Sequence, residues 1–265
     1  MAITRIKAGF RPSHSSTSLA VRKIGLDDLG DALKMGWEDF KAIPTHAVML
    51  AVIYPILGLV LARTVHGLSI LPLLFPLAAG FAMLGPFAAL GLYELSKRRE
   101  QGVEPSASDA LAVFRSPSIG SIIALGAILM VLFLVWVTAA QSIYNSTFGY
   151  TPASDIPGFF NQVLTTSQGH KLIVVGCGVG LLFAIVALCI SVVSFPLLLD
   201  RDANVADAVL ASLRAVAQNP VPMMAWGLIV AILLILGTLP FFLGLTVVIP
   251  VLGHATWHLY RKLLG

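Results

Sequence analysis

The stretch Leu172-Ile-Val-Val-Gly-Cys-Gly-Val-Gly-Leu-Leu-Phe-Ala-Ile-Val186 decides the fold of this 265-residue chain. It lies within residues 172–199, which contain no Asp, Glu, Lys or Arg. The hydrocarbon core of a bilayer is about 30 Å thick, and a helix of about 20 apolar residues crosses it. Only helices and closed barrels satisfy every backbone polar group in lipid, and barrel strands alternate apolar with polar residues. This stretch does not alternate, so it predicts a transmembrane helix.

Four further stretches also lack charged residues: 42–62, 67–93, 116–154 and 215–253. The last is 39 residues long, enough for two crossings, and Gly237-Thr238-Leu239-Pro240 predicts the turn between them. We therefore expect an all-α, polytopic membrane bundle in a single membrane domain, residues 24–265, after a flexible basic tail, residues 1–23. The expected transmembrane helices, about six, are 45–65, 69–93, 119–141, 172–199, 221–237 and 239–258. Residues 142–170 are expected to form an interfacial loop.

The distribution of charge predicts the orientation. Only 11% of the residues are charged, against about 25% in a soluble domain. With the six spans above, 15 of the 17 Lys and Arg residues fall on one side of the membrane, and only Arg63 and Lys171 on the other. Lys and Arg accumulate in short cytoplasmic loops. We therefore expect a multi-pass protein of the bacterial inner (plasma) membrane with both termini in the cytoplasm.

A short stretch with a helix-start pattern precedes each odd-numbered span. The three patterns are Asp28-x-x-Asp31-Ala-Leu, Ser106-x-x-Asp109-Ala-Leu and Asn204-x-x-Asp207-Ala-Val. Asp, Ser and Asn are preferred N-caps, and an acid three residues later fits a capping box and the positive helix end. The predicted helix caps are therefore Asp28, Asp31, Ser106, Asp109, Asn204 and Asp207. Ion or proton binding by the three later aspartates is the alternative interpretation. The recurrence predicts a degenerate threefold repeat of one short helix and two spans.

The first of these short helices, predicted at 26–43, is amphipathic and acidic. Apolar residues repeat at helical spacing from Leu26 to Phe40, which fits a helix lying at the membrane interface. Its five acids are Asp27, Asp28, Asp31, Glu38 and Asp39. Anionic leaflets attract basic helices rather than acidic ones. The acidic face is therefore expected to pair with the basic residues 97–99 of the same chain or with a partner protein.

Ionisable residues within spans mark candidate functional sites, and few are present here. His254 and His258 lie one helical turn apart near the cytoplasmic end of the sixth span, so they share one helix face. His46 and Glu94 are expected on the same side of the membrane. We therefore predict a cytoplasmic-side polar cluster of these four residues. It could hold a metal ion or a proton, or its histidines could reach water beside an aromatic belt. We expect no catalytic residue, no bound metal and no cofactor.

Four segments of the chain carry a family resemblance. They are Gly36-Trp-Glu-Asp-Phe-Lys-Ala-Ile-Pro-Thr-His46, Leu92-Tyr-Glu-Leu-Ser-Lys-Arg-Arg-Glu100, Ser194-Phe-Pro-Leu-Leu-Leu-Asp-Arg201 and Leu252-Gly-His-Ala-Thr-Trp-His-Leu-Tyr-Arg261. As a set they resemble a bacterial family of uncharacterised integral membrane proteins, the domain of unknown function 2189. The resemblance covers roughly residues 20–263. It implies a polytopic inner-membrane protein and brings no established activity or ligand.

The concentration of polar residues at the cytoplasmic interface favours a membrane interaction or assembly protein. The chain has no Walker loop, dinucleotide fingerprint, HExxH or Gly-x-Ser-x-Gly motif, and we expect that it is not an enzyme. The alternative is a small-solute or ion transporter, with prolines that break the spans near the membrane midplane. The expected partners are the lipid bilayer and either another membrane protein or a second copy of this chain. Nucleic acid is not expected.

Overall fold

The computed structural model describes residues 20–43, 76–78, 80, 85–149, 156–240 and 242–265. Within these residues the chain is mostly helical and contains no β-strand, so the predicted all-α fold is confirmed. The helices are α1 (Leu26–Ala42), α2 (Gly85–Ala88), α3 (Leu90–Glu100), a 3₁₀ helix (Ala107–Arg115), α4 (Ile119–Phe148), α5 (Ile156–Thr165), α6 (Ser167–Ser191), α7 (Ser194–Asp200), α8 (Val205–Gln218), α9 (Pro220–Thr238) and α10 (Leu245–Leu264).

Three described segments are long and apolar enough to cross a membrane: Ile119–Phe148, Ser167–Asp200 and Pro220–Thr238. They contain the predicted spans 119–141, 172–199 and 221–237. The predicted count of six is not confirmed. The span at 45–65 and most of the span at 69–93 lie outside the described residues. In place of the span at 239–258, helix α10 begins only at Leu245, and it is not one of the three long apolar segments.

The predicted interfacial loop at 142–170 is wrong wherever the structure describes it. Helix α4 continues to Phe148, α5 occupies Ile156–Thr165, and α6 begins at Ser167. Polar side chains in this part of the chain stay compatible with a helix because their hydroxyls donate to carbonyls one turn earlier. Thr147 does so to the Ile143 oxygen at 3.0 Å, and Thr165 to the Asn161 oxygen at 2.6 Å. Residues 142–148 and 156–165, which carry no charge, are therefore helical rather than a loop.

The best-buried side chains lie where α1, α3, α7, α8 and α10 meet. We call this region the charged end; it consists of α1, residues 93–100, α7, α8 and residues 252–265. Its fully buried aromatic side chains include Tyr93, Phe195, Trp257 and Tyr260. Helices α4, α6 and α9 instead expose large apolar side chains, as Leu182 does at 63%. Such a surface is suited to lipid, where apolar contact replaces water.

Each short helix packs against the end of a longer helical segment: the 3₁₀ helix on α3, α8 on α7, and α1 on α10. In the first two pairs the partners are neighbours along the chain. The third pair joins the first described helix to the last. Small residues let these backbones approach closely, because a Cβ on Gly36 would lie 2.6 Å from the backbone nitrogen of Ala255. In the α8–α7 pair, the Ser194 hydroxyl donates to the Ala208 carbonyl at 3.1 Å.

The first and third short helices also end in the same way. The residue after α1, Ile43, has φ −132° and ψ 47°, and the residue after α8, Asn219, has φ −130° and ψ 53°. A proline follows each of these residues in the sequence. Helix α1 and helix α8 therefore end alike, which agrees with the repeat expected from the sequence.

Candidate functional site

Three helices meet around one buried carboxylate at the charged end. Asp39, near the end of α1, has a side chain only 4% exposed. Its Oδ2 atom accepts hydrogen bonds from the Ser96 hydroxyl of α3 at 2.6 Å and from Nε2 of His258 on α10 at 2.8 Å. The Ser96 oxygen also lies 2.7 Å from Nδ1 of His254, and the guanidinium of Arg99 binds Asp39 Oδ1. We call these five residues the buried polar network.

The hydrogen bonds of the buried polar network fix where its protons lie. The Ser96 hydroxyl hydrogen points at Asp39, so Nδ1 of His254 must donate to the Ser96 oxygen. His258 donates its Nε2 hydrogen to the same carboxylate oxygen of Asp39. Nε2 of His254 is buried and makes no hydrogen bond of normal geometry to a described residue, although the Leu92 backbone approaches the ring. Every other fully buried side-chain nitrogen or oxygen of the network has a hydrogen-bond partner.

The electrostatics of the network favour an ionised Asp39. Burial by itself would raise the pKa of this carboxyl, but the hydrogen bonds from His258 and Ser96 and the field of the two histidines outweigh burial. The pKa of Asp39 is therefore held below its ordinary value of 3.8. An ionised carboxylate with several donors joins α1 to both α3 and α10.

The geometry of the network differs from that of a serine-hydrolase triad. In a serine hydrolase the histidine lies between the serine and the acid, whereas here Ser96 lies between His254 and Asp39. Among the residues that the structure describes, no three His, Cys, Asp or Glu side chains are placed to hold a metal ion. What the arrangement does chemically is to neutralise a buried charge between three helices.

A second polar cluster lies around Asp200, the last residue of α7. Its Oδ2 atom accepts from the Tyr260 hydroxyl at 2.8 Å and lies 3.5 Å from Nη1 of Arg261, and its Oδ1 atom lies 3.7 Å from Nζ of Lys97. Burial, together with the hydrogen bond to Asp200, raises the pKa of Tyr260. Arg261 continues the cluster to Glu100 of α3 at 2.9 Å. We call these five residues the Asp200 cluster; it joins the ends of α3, α7 and α10.

Comparison with known proteins places part of this architecture in a family. Residues 73–200 match the model of the family described as predicted integral membrane protein (DUF2189). This segment is similar to the DUF2189 family. No curated protein and no solved structure matches the chain. The family description agrees with the three long apolar helices, and the chain is an integral membrane protein by both observations.

The DUF2189 match divides the polar clusters of the charged end. Ser96, Arg99 and Asp200 lie within the matched segment, whereas Asp39 and both buried histidines lie outside it. The resemblance seen in the sequence extended over residues 20–263, and the family match covers the smaller range. The buried polar network therefore joins the segment matched by the DUF2189 model to the two helices, α1 and α10, at either end of the described chain.

The structure brings together two of the four residues predicted to form a polar cluster. His254 and His258 both lie in the buried polar network, but the carboxylate they share belongs to Asp39. Glu94 instead binds Arg98, with its Oε1 atom 2.8 Å from the arginine Nε. His46 lies outside the described residues. The histidines do not point to water at a helix end, since His254 is fully buried and His258 is 7% exposed.

Of the predicted caps, the second and third pairs stand at the positions expected. Ser106 precedes the 3₁₀ helix and its backbone nitrogen donates to Asp109 at 2.8 Å. Asn204 precedes α8 and its side-chain oxygen accepts from the backbone nitrogen of Asp207 at 2.9 Å. The first pair is shifted by one turn, as described next.

In α1 the residue before the helix is Gly25, so the predicted N-cap, Asp28, occupies the third helical position. Its carboxylate accepts from the Gly25 backbone nitrogen at 2.9 Å. Asp31 does not cap the helix. Its Oδ2 atom lies 3.0 Å from Nζ of Lys262, which also lies 2.9 Å from Asp28. The prediction failed because a glycine in an extended conformation can precede a helix without a side-chain oxygen, and Asp28 closes the turn from inside.

Sequence reasoning missed the central carboxylate and one further polar anchor. Asp39 was grouped with the acidic face of α1, although it follows Ala32 and Gly36 at helical spacing on the buried face. Asn219 was not singled out at all. Its side chain accepts from the Ile24 backbone nitrogen at 2.8 Å and donates to the Arg22 carbonyl at 3.1 Å, which ties the segment before α1 to the end of α8.

Proposed function

We propose that this integral membrane protein is a membrane interaction or assembly protein that presents helix α1 to a partner at its charged end. One observation carries the proposal: the back of α1 is fixed by Asp39, whereas Asp27 and Glu38 on its front are exposed and form no ion pair with a described residue. A helix held rigidly on one side and charged on the other is suited to recognise a complementary surface.

Several other acids of the charged end already have partners. Asp28 and Asp31 bind Lys262, Glu94 binds Arg98, and the Asp200 cluster satisfies its own charges. These pairings join α1, α3, α7 and α10, which favours a structural role for these groups over a catalytic one. This supports our proposal that the protein is not an enzyme.

Transport is less well supported than interaction. Intramembrane ionisable residues usually mark substrate or ion paths. Residues 119–148, 172–199 and 220–238, which form the long apolar helices, contain no Asp, Glu, Lys or Arg. Polar chemistry concentrated at one end of such helices favours a protein that binds partners beside the membrane.

We also propose that the charged end faces the cytoplasm of a bacterial cell, in the inner membrane, with both termini on that side. The support is the distribution of Lys and Arg in the sequence, since basic residues are retained in cytoplasmic segments. Labelling of Cys residues introduced at Lys23 and at Lys171, with a membrane-impermeant maleimide on intact cells, tests this orientation. Lys171 should be labelled in intact cells and Lys23 only after permeabilisation.

The test of function is co-purification in mild detergent with a charge-reversed α1. The variant Asp27→Lys/Glu38→Lys should lose a partner that the wild-type protein retains at a fixed ratio. The matched control, Glu104→Lys/Asp202→Lys, reverses two exposed acids elsewhere at the same end and should retain it. Equal thermal stability of both variants ensures that the chain is folded. Recovery of the wild-type chain alone, or equal recovery with both variants, would contradict the proposal.

A further inference from the structure

Helix α1 carries three distinct surfaces around its circumference. At about 100° per residue, the buried face containing Ala32, Gly36 and Asp39 is followed by an apolar flank with Leu26, Leu33 and Trp37. Lys34 and Lys41 come next, and the acids Asp27, Asp31 and Glu38 lie beyond them. Trp37 is 44% exposed and Leu26 is 58% exposed, although the chain buries its other described tryptophans. The flank is therefore an apolar surface bordered by cations.

The other two short helices repeat this order in the same rotational direction. In the 3₁₀ helix, residues three apart are eclipsed, so buried Ala110 and Val113 form one row and exposed Leu111 and Phe114 the next. Arg115 belongs to the third row. We call the exposed apolar residues of the three helices the apolar flanks.

Helix α8 agrees with α1 at the buried and apolar positions. Buried Ala208, Ser212 and Ala215 correspond to Ala32, Gly36 and Asp39, and exposed Leu213 corresponds to Trp37. The apolar flank is wider on α8, because exposed Leu210 stands at the position of Lys34, and Arg214, at the position of Glu38, borders it. Three helices related by the repeat thus expose an apolar flank with a cation beside it.

The chain connections keep two of these flanks close to the membrane surface. The 3₁₀ helix ends at Arg115 and the long apolar helix α4 begins at Ile119; α8 ends at Gln218 and α9 begins at Pro220. Each residue between a short helix and the next span extends the chain by at most about 3.6 Å, so the two helices stay close together. An apolar flank at this depth meets lipid before it meets bulk water.

The charges beside the flanks are free to bind anions. Lys34, Lys41, Arg115 and Arg214 are exposed and form no ion pair with any residue that the structure describes. The acids of α1 argued against a lipid surface, but three of the five are engaged within the chain. Asp39 is buried, and Asp28 and Asp31 bind Lys262. The apolar flank of α1 is bordered by Lys34 and Lys41, and the free acids Asp27 and Glu38 lie next to these lysines, on the side away from the flank.

We infer that the apolar flanks of α1, the 3₁₀ helix and α8 insert together into one membrane leaflet, where the adjacent cations bind anionic phospholipid headgroups. Cations flanking an apolar stripe are the pattern of interfacial helices, with the long aliphatic stems in lipid and the charges at the phosphates. The surface of α1 that carries Asp27 and Glu38 stays in water. Lipid binding and partner binding therefore use adjacent surfaces of α1, and the residues of each can be substituted separately.

Tryptophan fluorescence in lipid nanodiscs tests insertion. The emission of Trp37 is obtained as the difference between the wild-type protein and Trp37→Phe, in matched nanodiscs with and without bromine on the acyl chains. The difference emission should lose most of its intensity in brominated lipid and respond little to aqueous iodide. Trp257→Phe, at a buried position, provides the matched difference spectrum for a tryptophan away from lipid. Quenching of Trp37 by iodide and not by bromine would overturn the inference.

Retention of phosphatidylglycerol during purification tests the headgroup contacts. Each cation near an anionic surface changes the association constant by about fivefold, so Arg115→Gln/Arg214→Gln should lower the retained phosphatidylglycerol relative to phosphatidylcholine by fivefold or more. The control, Lys171→Gln, removes an exposed cation at the opposite end of the Ser167–Asp200 segment and should change nothing. Equal losses in both variants, or no loss in either, would overturn the assignment of anionic headgroups as the ligand.

Discussion

Removal of the charge of Asp39 is expected to release helix α1 from the rest of the charged end. The substitution Asp39→Asn keeps the size of the side chain but leaves His258, Ser96 and Arg99 facing a neutral amide. Loss of one partner from a buried ion pair costs about 3–5 kcal/mol. Arg99 is 41% exposed and can turn to water, and Asn keeps one acceptor oxygen, so we expect about 3 kcal/mol, the lower end of that range.

The measurement is amide hydrogen exchange of peptides from residues 26–42 in detergent, which reports the local opening of α1. A loss of about 3 kcal/mol accelerates exchange about 100-fold, since each 1.4 kcal/mol is about a factor of ten. The matched control is Glu38→Gln, which removes an adjacent but exposed carboxylate and should leave exchange unchanged. Exchange in Asp39→Asn within twofold of the wild-type rate would refute the idea that this carboxylate holds α1 in place.

Three further predictions concern packing and titration. Gly36→Ala should destabilise the contact of α1 with α10 by about 1–3 kcal/mol, because the new Cβ would lie 2.6 Å from the Ala255 backbone. The control Gly30→Ala, which has open space around it, should leave the stability measured by thermal unfolding unchanged or raise it by up to about 1 kcal/mol. The pKa values of Asp39 and Asp28 are lowered in the folded protein. The stability that these carboxylates contribute is therefore complete above the unfolded value of 3.8 and is lost as pH falls through the folded values. The acid-induced fall in melting temperature should consequently be smaller in Asp39→Asn than in the wild-type protein. Tyr260→Phe should lower the free energy of unfolding by about 1 kcal/mol, because it removes the hydrogen bond to Asp200. It should leave the tyrosinate absorbance that forms near pH 10 unchanged, because burial and Asp200 raise the pKa of Tyr260. A smaller absorbance in the variant would contradict the buried hydrogen bond.

The features that could be predicted from the sequence are those set by local chemistry. The lack of charge over residues 172–199 predicted a long helix, and the structure has one from Ser167 to Asp200, interrupted only around residues 192–193. Ser106 with Asp109, and Asn204 with Asp207, begin helices as the cap pattern indicated. Such patterns depend on neighbouring residues, so one chain is enough to find them.

The candidate site depended on contacts between distant residues, which spacing does not reveal. His254 and His258 were found because they are one turn apart, but their acidic partner is 219 residues from His258 in the chain. Helical periodicity places Asp39 on the buried face of α1, yet its charge grouped it with the acidic face expected to pair with residues 97–99 or with a partner protein. A carboxylate goes into a core when enough donors converge on it, and those donors come from α3 and α10.

The internal pairing of charges was likewise only partly foreseen. The acidic face of α1 was expected to meet the basic residues 97–99, and one of the three does so, since Arg99 binds Asp39. Lys97 and Arg98 instead pair with Asp200 and Asp109, which belong to other helices. Lys262, at the end of the chain, takes two of the acids of α1.

The central claim is that the first described helix closes on the last one within a single chain. A zero-length carbodiimide cross-linker joins a carboxylate to an amine only where the two are in contact, and Lys262 lies 2.9 Å from Asp28 and 3.0 Å from Asp31. Treatment of membranes containing a mixture of isotope-labelled and unlabelled copies should give peptides linked between 262 and 28 or 31, with both halves carrying the same label. Absence of this link, or a link mainly between differently labelled copies, would contradict the claim.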